Sequence, residues 1–336
     1  MCETLNARYI VSGQVQFTET TIQWSLEMMD GRTDEIVWSE RRQVKFTDLY
    51  AETAALNGRI AGTICANVSV FTFRNAMAST PESLNAYDLC ARVSATGMTL
   101  TIKSMREAQQ LATHAVALYP NYARAWRSTA VLYLLDIMHY LTGEWTDAQI
   151  PQALKVAHKA IELDTSQAVA YGILANLLMF NGQHTEALIA SQCAMELGPS
   201  DPQLLNIHAA ILVSSGRFTE AKRLSWSLIG MSPLRLPIYL NNYGRILLAL
   251  GEHHEAIEVL QEALVATPGI NLARAGLIVA LEETGQHADA AKHYNLLLAN
   301  SNGFNKCFSS RRWDAIPEVL SRYVTAFQAH GMSPGI

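Results

Sequence analysis

The stretch Tyr243-Gly244-Arg245-Ile246-Leu247-Leu248-Ala249-Leu250-Gly251-Glu252-His253-His254-Glu255-Ala256 decides how the chain is read. An apolar run with helical periodicity is interrupted by a glycine and resumes behind a small residue. Ala263 and Pro268 follow, at distances that suit the middle and the end of a second helix. The small residue recurs at Ala108, Ala153, Ala187, Ala221, Ala256 and Ala290, in steps of 45, 34, 34, 35 and 34. Seven positions after each stands Ala115, Ala160, Ala194, Leu228, Ala263 or Leu297. Five further on come Pro120, Thr165, Pro199, Pro233, Pro268 and Asn302. Gly182, Gly216, Gly251 and Gly285 keep the same clock.

This spacing predicts pairs of helices joined by a glycine turn. The small residues let the second helix approach the first, and the proline stops it for want of an N–H. One pair cannot bury its apolar face alone, so neighbours stack into a solenoid. The pattern resembles the tetratricopeptide repeat family over residues 84–302. Trp126 and Tyr133 stand where that family favours large aromatics. The second unit departs from it by an insert of about eleven residues around 140–150, including Gly143-Glu144-Trp145. The resemblance implies a mainly α, right-handed solenoid of six helix pairs.

The first 80 residues keep a different period. Residues 8–17, 20–29 and 35–44 alternate apolar and polar side chains and read as strands, with a turn at Met29-Asp30-Gly31-Arg32-Thr33. Thr47-Asp48 reads as a helix start, followed by Leu49, Leu56, Ile60, Ile64 and Val68 at helical spacing. Residues 79–82 read as a linker and Ser83 as a helix cap. The expected organisation is a small, incomplete β-β-β-α module over 1–78 and a linker over 79–83. Six helix pairs over 84–302 and a capping helix with a tail over 303–336 complete it.

Two further resemblances rest on named residues. Ala7-Arg8-Tyr9-Ile10-Val11-Ser12-Gly13-Gln14-Val15, residues 26–30 and Val37-Trp38-Ser39-Glu40-Arg41 resemble the second half of a TolB-amino-terminal-like module. Tyr323-Val324-Thr325-Ala326-Phe327-Gln328-Ala329-His330-Gly331-Met332-Ser333-Pro334 resembles the closing helix of proteins that carry that module before tetratricopeptide repeats. These are bacterial class III adenylate cyclases and winged-helix transcription regulators. The resemblance implies a C-terminal regulatory region whose output domain, cyclase or DNA-binding, lies outside this chain. It also implies a strand edge open to self-association.

Composition narrows the function classes. The 336 residues carry a net charge of −5, with 49% hydrophobic and 16% charged residues. That balance excludes a disordered chain, and no basic surface suits direct nucleic-acid binding. Apolar runs such as residues 168–180 are too short to span a bilayer. Cys2, Cys65, Cys90, Cys193 and Cys307 show no Cys-x-x-Cys, so free thiols in a reducing, cytoplasmic setting are expected. There is no Walker loop, Gly-x-Gly-x-x-Gly, Gly-x-Ser-x-Gly or His-Glu-x-x-His. His253-His254-Glu255-Ala256-Ile257-Glu258 lacks a second helical metal ligand. His184, His253 and His287 read as polar turn residues, and Glu282-Glu283 as a solvated helix end. Arg41-Arg42 with Lys45 reads as a solvated strand face, as does Arg311-Arg312 beside Trp313. A non-catalytic protein without cofactor or metal is expected.

In the tetratricopeptide family the first helix of each pair faces the concave groove, so the resemblance places candidate contacts there. They are Arg124 and Arg127 in the second unit, Asn176 in the third, Asn206 in the fourth, and Asn241 and Arg245 in the fifth. Asn can bond the backbone amides of a peptide and Arg can clamp a carboxylate. The expected ligand is a peptide or a partner protein. The lysine and arginine set of the chaperone-binding carboxylate clamp is not reproduced.

Overall fold

Four helices end in the same way because four glycines take up backbone angles open to few other residues. Gly182, Gly216, Gly251 and Gly285 have φ between 76° and 81°, the left-handed region where a Cβ would crowd the next carbonyl. Behind each, the next N–H reaches back into the last helical turn: Gln183 to Leu178 O, Arg217 to Leu212 O and Glu252 to Leu247 O at 2.9 Å, and Gln286 to Leu281 O at 2.8 Å. These bonds satisfy carbonyls that a helix end leaves open and turn the chain back at once. The next helix then runs antiparallel to the first.

The computed structural model describes residues 7–31, 33–45, 64, 68, 72, 84–139, 141–142, 149–199, 201–231, 237–300 and 317–332. By compactness the chain divides into Met1–Asn75 with Met231–Pro233, and Ala76–Gly230 with Leu234–Ile336.

The first unit holds an antiparallel sheet of β1 (Tyr9–Phe17), β2 (Thr21–Asp30) and β3 (Glu35–Lys45), in the order β1-β2-β3. Period-2 patterning puts Ile22, Trp24, Met28 and Asp30 of β2 on one buried face. The β1–β2 register runs unbroken from Tyr9↔Asp30 to Phe17↔Ile22, whereas β2–β3 carries a bulge at Met28/Met29. The two edges differ in chemistry. β3 carries Glu35, Glu40, Arg41, Arg42 and Lys45, while β1 has no charged residue and leaves Val15 and Phe17 56% and 69% exposed. Of the helix expected from Thr47, Ile64, Val68 and Thr72 are helical. The remainder lies outside the described residues, as do the 79–82 linker, Ser83, Gly143-Glu144-Trp145 and Arg311-Arg312.

The second unit contains α1 (Ala86–Gly97), α2 (Ile102–Leu118), α3 (Ala123–His139), α4 (Gln149–Leu163), α5 (Ala168–Phe180), α6 (His184–Leu197) and α7 (Pro202–Ser214). It continues with α8 (Phe218–Met231), α9 (Pro237–Ala249), α10 (His253–Ala266), α11 (Asn271–Glu283), α12 (His287–Ala299) and α13 (Pro317–Gln328). Three starts are marked by side chains that satisfy open N–H groups. Asn85 accepts from Asp88 N, Asp201 from Gln203 N ahead of Pro202, and Thr101 forms a reciprocal capping box with Ser104. The small residues of the repeat are packed out of water. Ala108, Ala153, Ala187, Ala221, Ala256 and Ala290 are all 0% exposed, the condition for close approach of paired helices.

The first helices of the pairs form a continuous inner row. α1 packs on α3, α3 on α5, α5 on α7, α7 on α9 and α9 on α11. α11 also reaches α3: Asn271 Nδ2 donates to His139 O at 2.7 Å, 132 residues away in sequence. The turn before α11 meets the turn after α1, where Gly269 lies so close to Leu100 that a Cβ would stand 3.1 Å from its carbonyl oxygen. The sixth pair thus abuts the first two.

His139 sits at that closure with 0% exposure, and neither ring nitrogen meets a hydrogen-bond partner. Burial disfavours its charged form and holds its pKa down, from 6.5 to about 4. The unfolded chain therefore holds more protons than the folded one between those two values, and folded stability falls as pH drops through that window. The loss reaches about 3 kcal/mol for this residue alone. His184, His208 and His293 are shifted the same way by burial. Urea midpoints should therefore fall steeply between pH 6.5 and pH 4, and His139→Phe should flatten the slope. An unchanged slope in that variant would assign the acid lability elsewhere.

Candidate protein-binding groove

Arg124 and Arg127 lie one turn apart on α3, half-buried at the first two pairs. The Arg124 guanidinium carbon stands 4.2 Å from the centre of the Tyr87 ring of α1. Burial, and then the neighbouring Arg124, hold the Arg127 guanidinium below its ordinary pKa. Burial pushes the Cys90 thiol and the Tyr122 phenol up, with both arginines acting against it. Cys90 is also hydrogen-bonded to Ser128.

The asparagines form a second group, farther into the inner row than an open groove wall would place them. Asn176, Asn206 and Asn241 are 6%, 6% and 0% exposed. Asn242 ties α9 to α7, its Nδ2 donating to Asn206 Oδ1 at 3.0 Å and to Asn206 O at 3.3 Å. Asn241 Nδ2 donates to Asn242 Oδ1 at 3.2 Å, and Asn241 Oδ1 meets no hydrogen-bond partner. Asn206 and Asn241 are thus brought together through Asn242. Asn176 is buried separately on α5. Arg245 is half-buried on α9, and a Cβ added at Gly276 of α11 would stand 3.8 Å from its Cγ.

Sequence reasoning did not find several polar contacts. Arg274 is 7% exposed and donates to Pro268 O at 2.7 Å, with His293 Nδ1 at 3.2 Å. Glu282 corrects the expectation of a solvated helix end, its side chain being 13% exposed, whereas Glu283 is exposed at that end as expected and still carries ion pairs. Glu283 takes both Nε and Nη2 of Arg322, at 2.6 and 2.5 Å, and His253 Nδ1 at 3.0 Å. Glu282 lies 2.8 Å from both His287 Nδ1 and His330 Nε2. Arg322 also donates to Leu248 O at 2.7 Å. The histidines read as turn residues do open α10 and α12, but with the two carboxylates they also fasten the C-terminal segment. A short-range signal existed only in the adjacency of Glu282 and Glu283. His287 is five residues from Glu282, whereas His253, Arg322 and His330 are 30 to 48 residues from their carboxylates and meet them only through the stacking.

Among the described residues, no three His, Cys, Asp or Glu side chains come together as a metal-ligand set. No described helix is long and apolar enough to cross a membrane. The inner row offers hydrogen-bond donors and acceptors, guanidinium groups and aromatic faces, a chemistry suited to holding a polar chain.

Helix pairs stacked through buried alanines and turned by left-handed glycines form a solenoid like that of tetratricopeptide repeats, and residues 242–303 match the tetratricopeptide repeat family. In sequence the chain resembles a protein of Rhizobium meliloti (strain 1021) that carries the provisional name adenylate cyclase 3. The two are 25% identical over 183 residues, 54% of this chain and 31% of that protein. This chain therefore matches under a third of that relative's length. In fold it is similar to human IFIT1, solved as a dimer with m7Gppp-AAAA (TM-score 0.55, 16% identity, 74% of this chain and 59% of that one). It is also similar to a chain of the APC/C hetero-tetramer Cut9-Hcn1 (TM-score 0.54, 16% identity, 79% and 49%).

Proposed function

We propose that this chain is a non-catalytic regulatory or scaffold protein that binds a peptide or partner protein along the inner row of its repeats. It acts as the sensory or interaction region of a bacterial signalling protein of the adenylate cyclase or transcription-regulator kind. The observation that carries the reading is the placement of Arg124, Arg127, Asn206, Asn241 and Arg245 on the first helices α3, α7 and α9, which pack into one row. A polar row of this kind is costly in a plain core, and its half-buried arginines present groups that recognise carboxylates. The sequence likeness to the Rhizobium protein supports the signalling context. Self-association belongs to the same reading. The uncharged β1 edge lacks the charges that natural edge strands use against pairing.

The test is binding of the full chain to an array of extended peptides, followed by titration of the best binder. Asn206→Ala with Arg245→Ala should weaken that peptide about tenfold, or ~1.4 kcal/mol, while the helical circular-dichroism signal is kept. Light scattering on the same preparations reports the oligomeric mass. A folded double variant with unchanged affinity would remove the groove from the reading.

A further inference from the structure

We propose that Arg124 and Arg127, with Tyr87 and Tyr122 beside them, form an anion site at the end of the inner row built by the first two helix pairs. The site takes a carboxylate or phosphate group of the bound partner. This rests on the groove reading above and names the chemistry of one part of it.

The argument begins with charge. Two guanidinium groups stand one turn apart on the same face of α3, a spacing at which like charges repel. Among the described residues, neither has a carboxylate within ion-pair distance. Arg127 acts weakly on Asp164, whose oxygens are engaged elsewhere. Oδ1 accepts from Ser166 N at 3.0 Å and Ser166 Oγ at 2.7 Å, and Oδ2 accepts from Gln167 Nε2 at 3.1 Å. The groups that do surround the pair, Cys90, Tyr87 and Tyr122, are neutral when protonated.

Geometry then gives the pair a function. Stacking of Arg124 on Tyr87 fixes the guanidinium plane and leaves its N–H edge free to donate, the arrangement in which arginine forks onto planar anions. Half-burial raises the value of each such bond, because water competes less. The same chain treats another half-buried arginine differently: Arg322 is forked onto Glu283 and also donates to a backbone carbonyl. A half-buried arginine pair with no countercharge is destabilising in the free protein, and an arriving anion relieves the repulsion while accepting bonds from both residues. A purely packing role for the aliphatic stems accounts for the burial, but not for two adjacent charges on one turn.

The experiment uses the full chain with inorganic phosphate as probe, exchanged against chloride at constant ionic strength. Isothermal titration and thermal melting are the readouts. Phosphate should bind the parent and raise its melting temperature, and Arg127→Gln or Arg124→Gln should weaken binding at least tenfold. Arg127→Met, which keeps most of the stem, should melt at or above the parent in phosphate-free buffer. A melting temperature several degrees below it would show that the guanidinium serves the fold, and the proposal falls. It also falls if phosphate does not bind the parent, or acts equally on parent and Arg127→Gln. Three versions of the best array peptide then distinguish the sources: free carboxyl terminus, carboxyl-terminal amide and phosphoserine. Loss of phosphate binding with unchanged sensitivity to Asn206→Ala and Arg245→Ala would refute the anion site alone and leave the groove standing.

Discussion

In Phe327→Ala the protein should lose about 3–5 kcal/mol of stability, the usual range for removing a buried aromatic ring from a core. Phe327 is 0% exposed on α13. Its ring lies 5.5 Å from Tyr294 of α12 at 58° and 6.4 Å from Tyr323 edge-on. Such tilted pairs add about 0.5–1.5 kcal/mol beyond area burial. α13 covers the apolar face that the last repeat would otherwise turn to water, the role of a capping element in a solenoid. The Arg322–Glu283 fork and the His330–Glu282 contact hold it from the polar side. They are partly exposed, so their share is smaller than that of the ring. Urea unfolding gives the magnitude, and hydrogen exchange locates it. Amides of α13 and α11 should lose protection first, because α11 is the helix on which α13 packs. A loss below about 1 kcal/mol, with α13 protection intact, would show that the ring is not the anchor.

Leu260→Ala is the second large effect, at about 2–5 kcal/mol. Leu260 is 0% exposed on α10, and it fills space left open by two glycines on neighbouring helices. A Cβ on Gly244 of α9 would lie 2.5 Å from Leu260 Cγ, and one on Gly276 of α11 would lie 3.3 Å from Leu260 Cδ1. The contact at Gly244 involves the branch point of the leucine, which cannot swing aside as a chain end can. Gly244→Ala alone should therefore cost about 1–3 kcal/mol through overpacking, against its gain in helix propensity of up to about 1 kcal/mol. The two changes should couple. In the double variant the added methyl occupies part of the vacated volume, so the combined loss falls short of the sum by about 0.5–3 kcal/mol. Strict additivity in urea midpoints would mean that the side chains do not share that space.

Much of the helical unit was legible because its repeat is written in local chemistry. Gly251 and its equivalents announce a left-handed turn wherever they occur, and Ala256 and its equivalents announce a close approach. Both requirements act on the residue itself and survive as a period in the sequence. The strands were legible for the same reason, since alternation in β2 reports one buried face. The candidate site was less legible. Arg124 and Arg127 follow from the phase of the first helix. Asn242 stands off that phase and was missed, although it joins Asn206 and Asn241. The partial burial of Glu282 leaves no local mark, since nothing near it in sequence is cationic except His287.

Those misses share one physical cause. Local pattern records which residues can form an element and which face it buries, because backbone angles and water exposure act on each residue directly. Composition and spacing therefore determined the six stacked pairs, the glycine turns and the apolar inner faces. Where the stack closes on itself depends on small angles summed over successive pairs, and no single residue encodes that sum. Only the tertiary structure brings Asn271 against His139, lays α13 over α11 and sets Arg124 and Arg127 together with no carboxylate in ion-pair reach among the described residues.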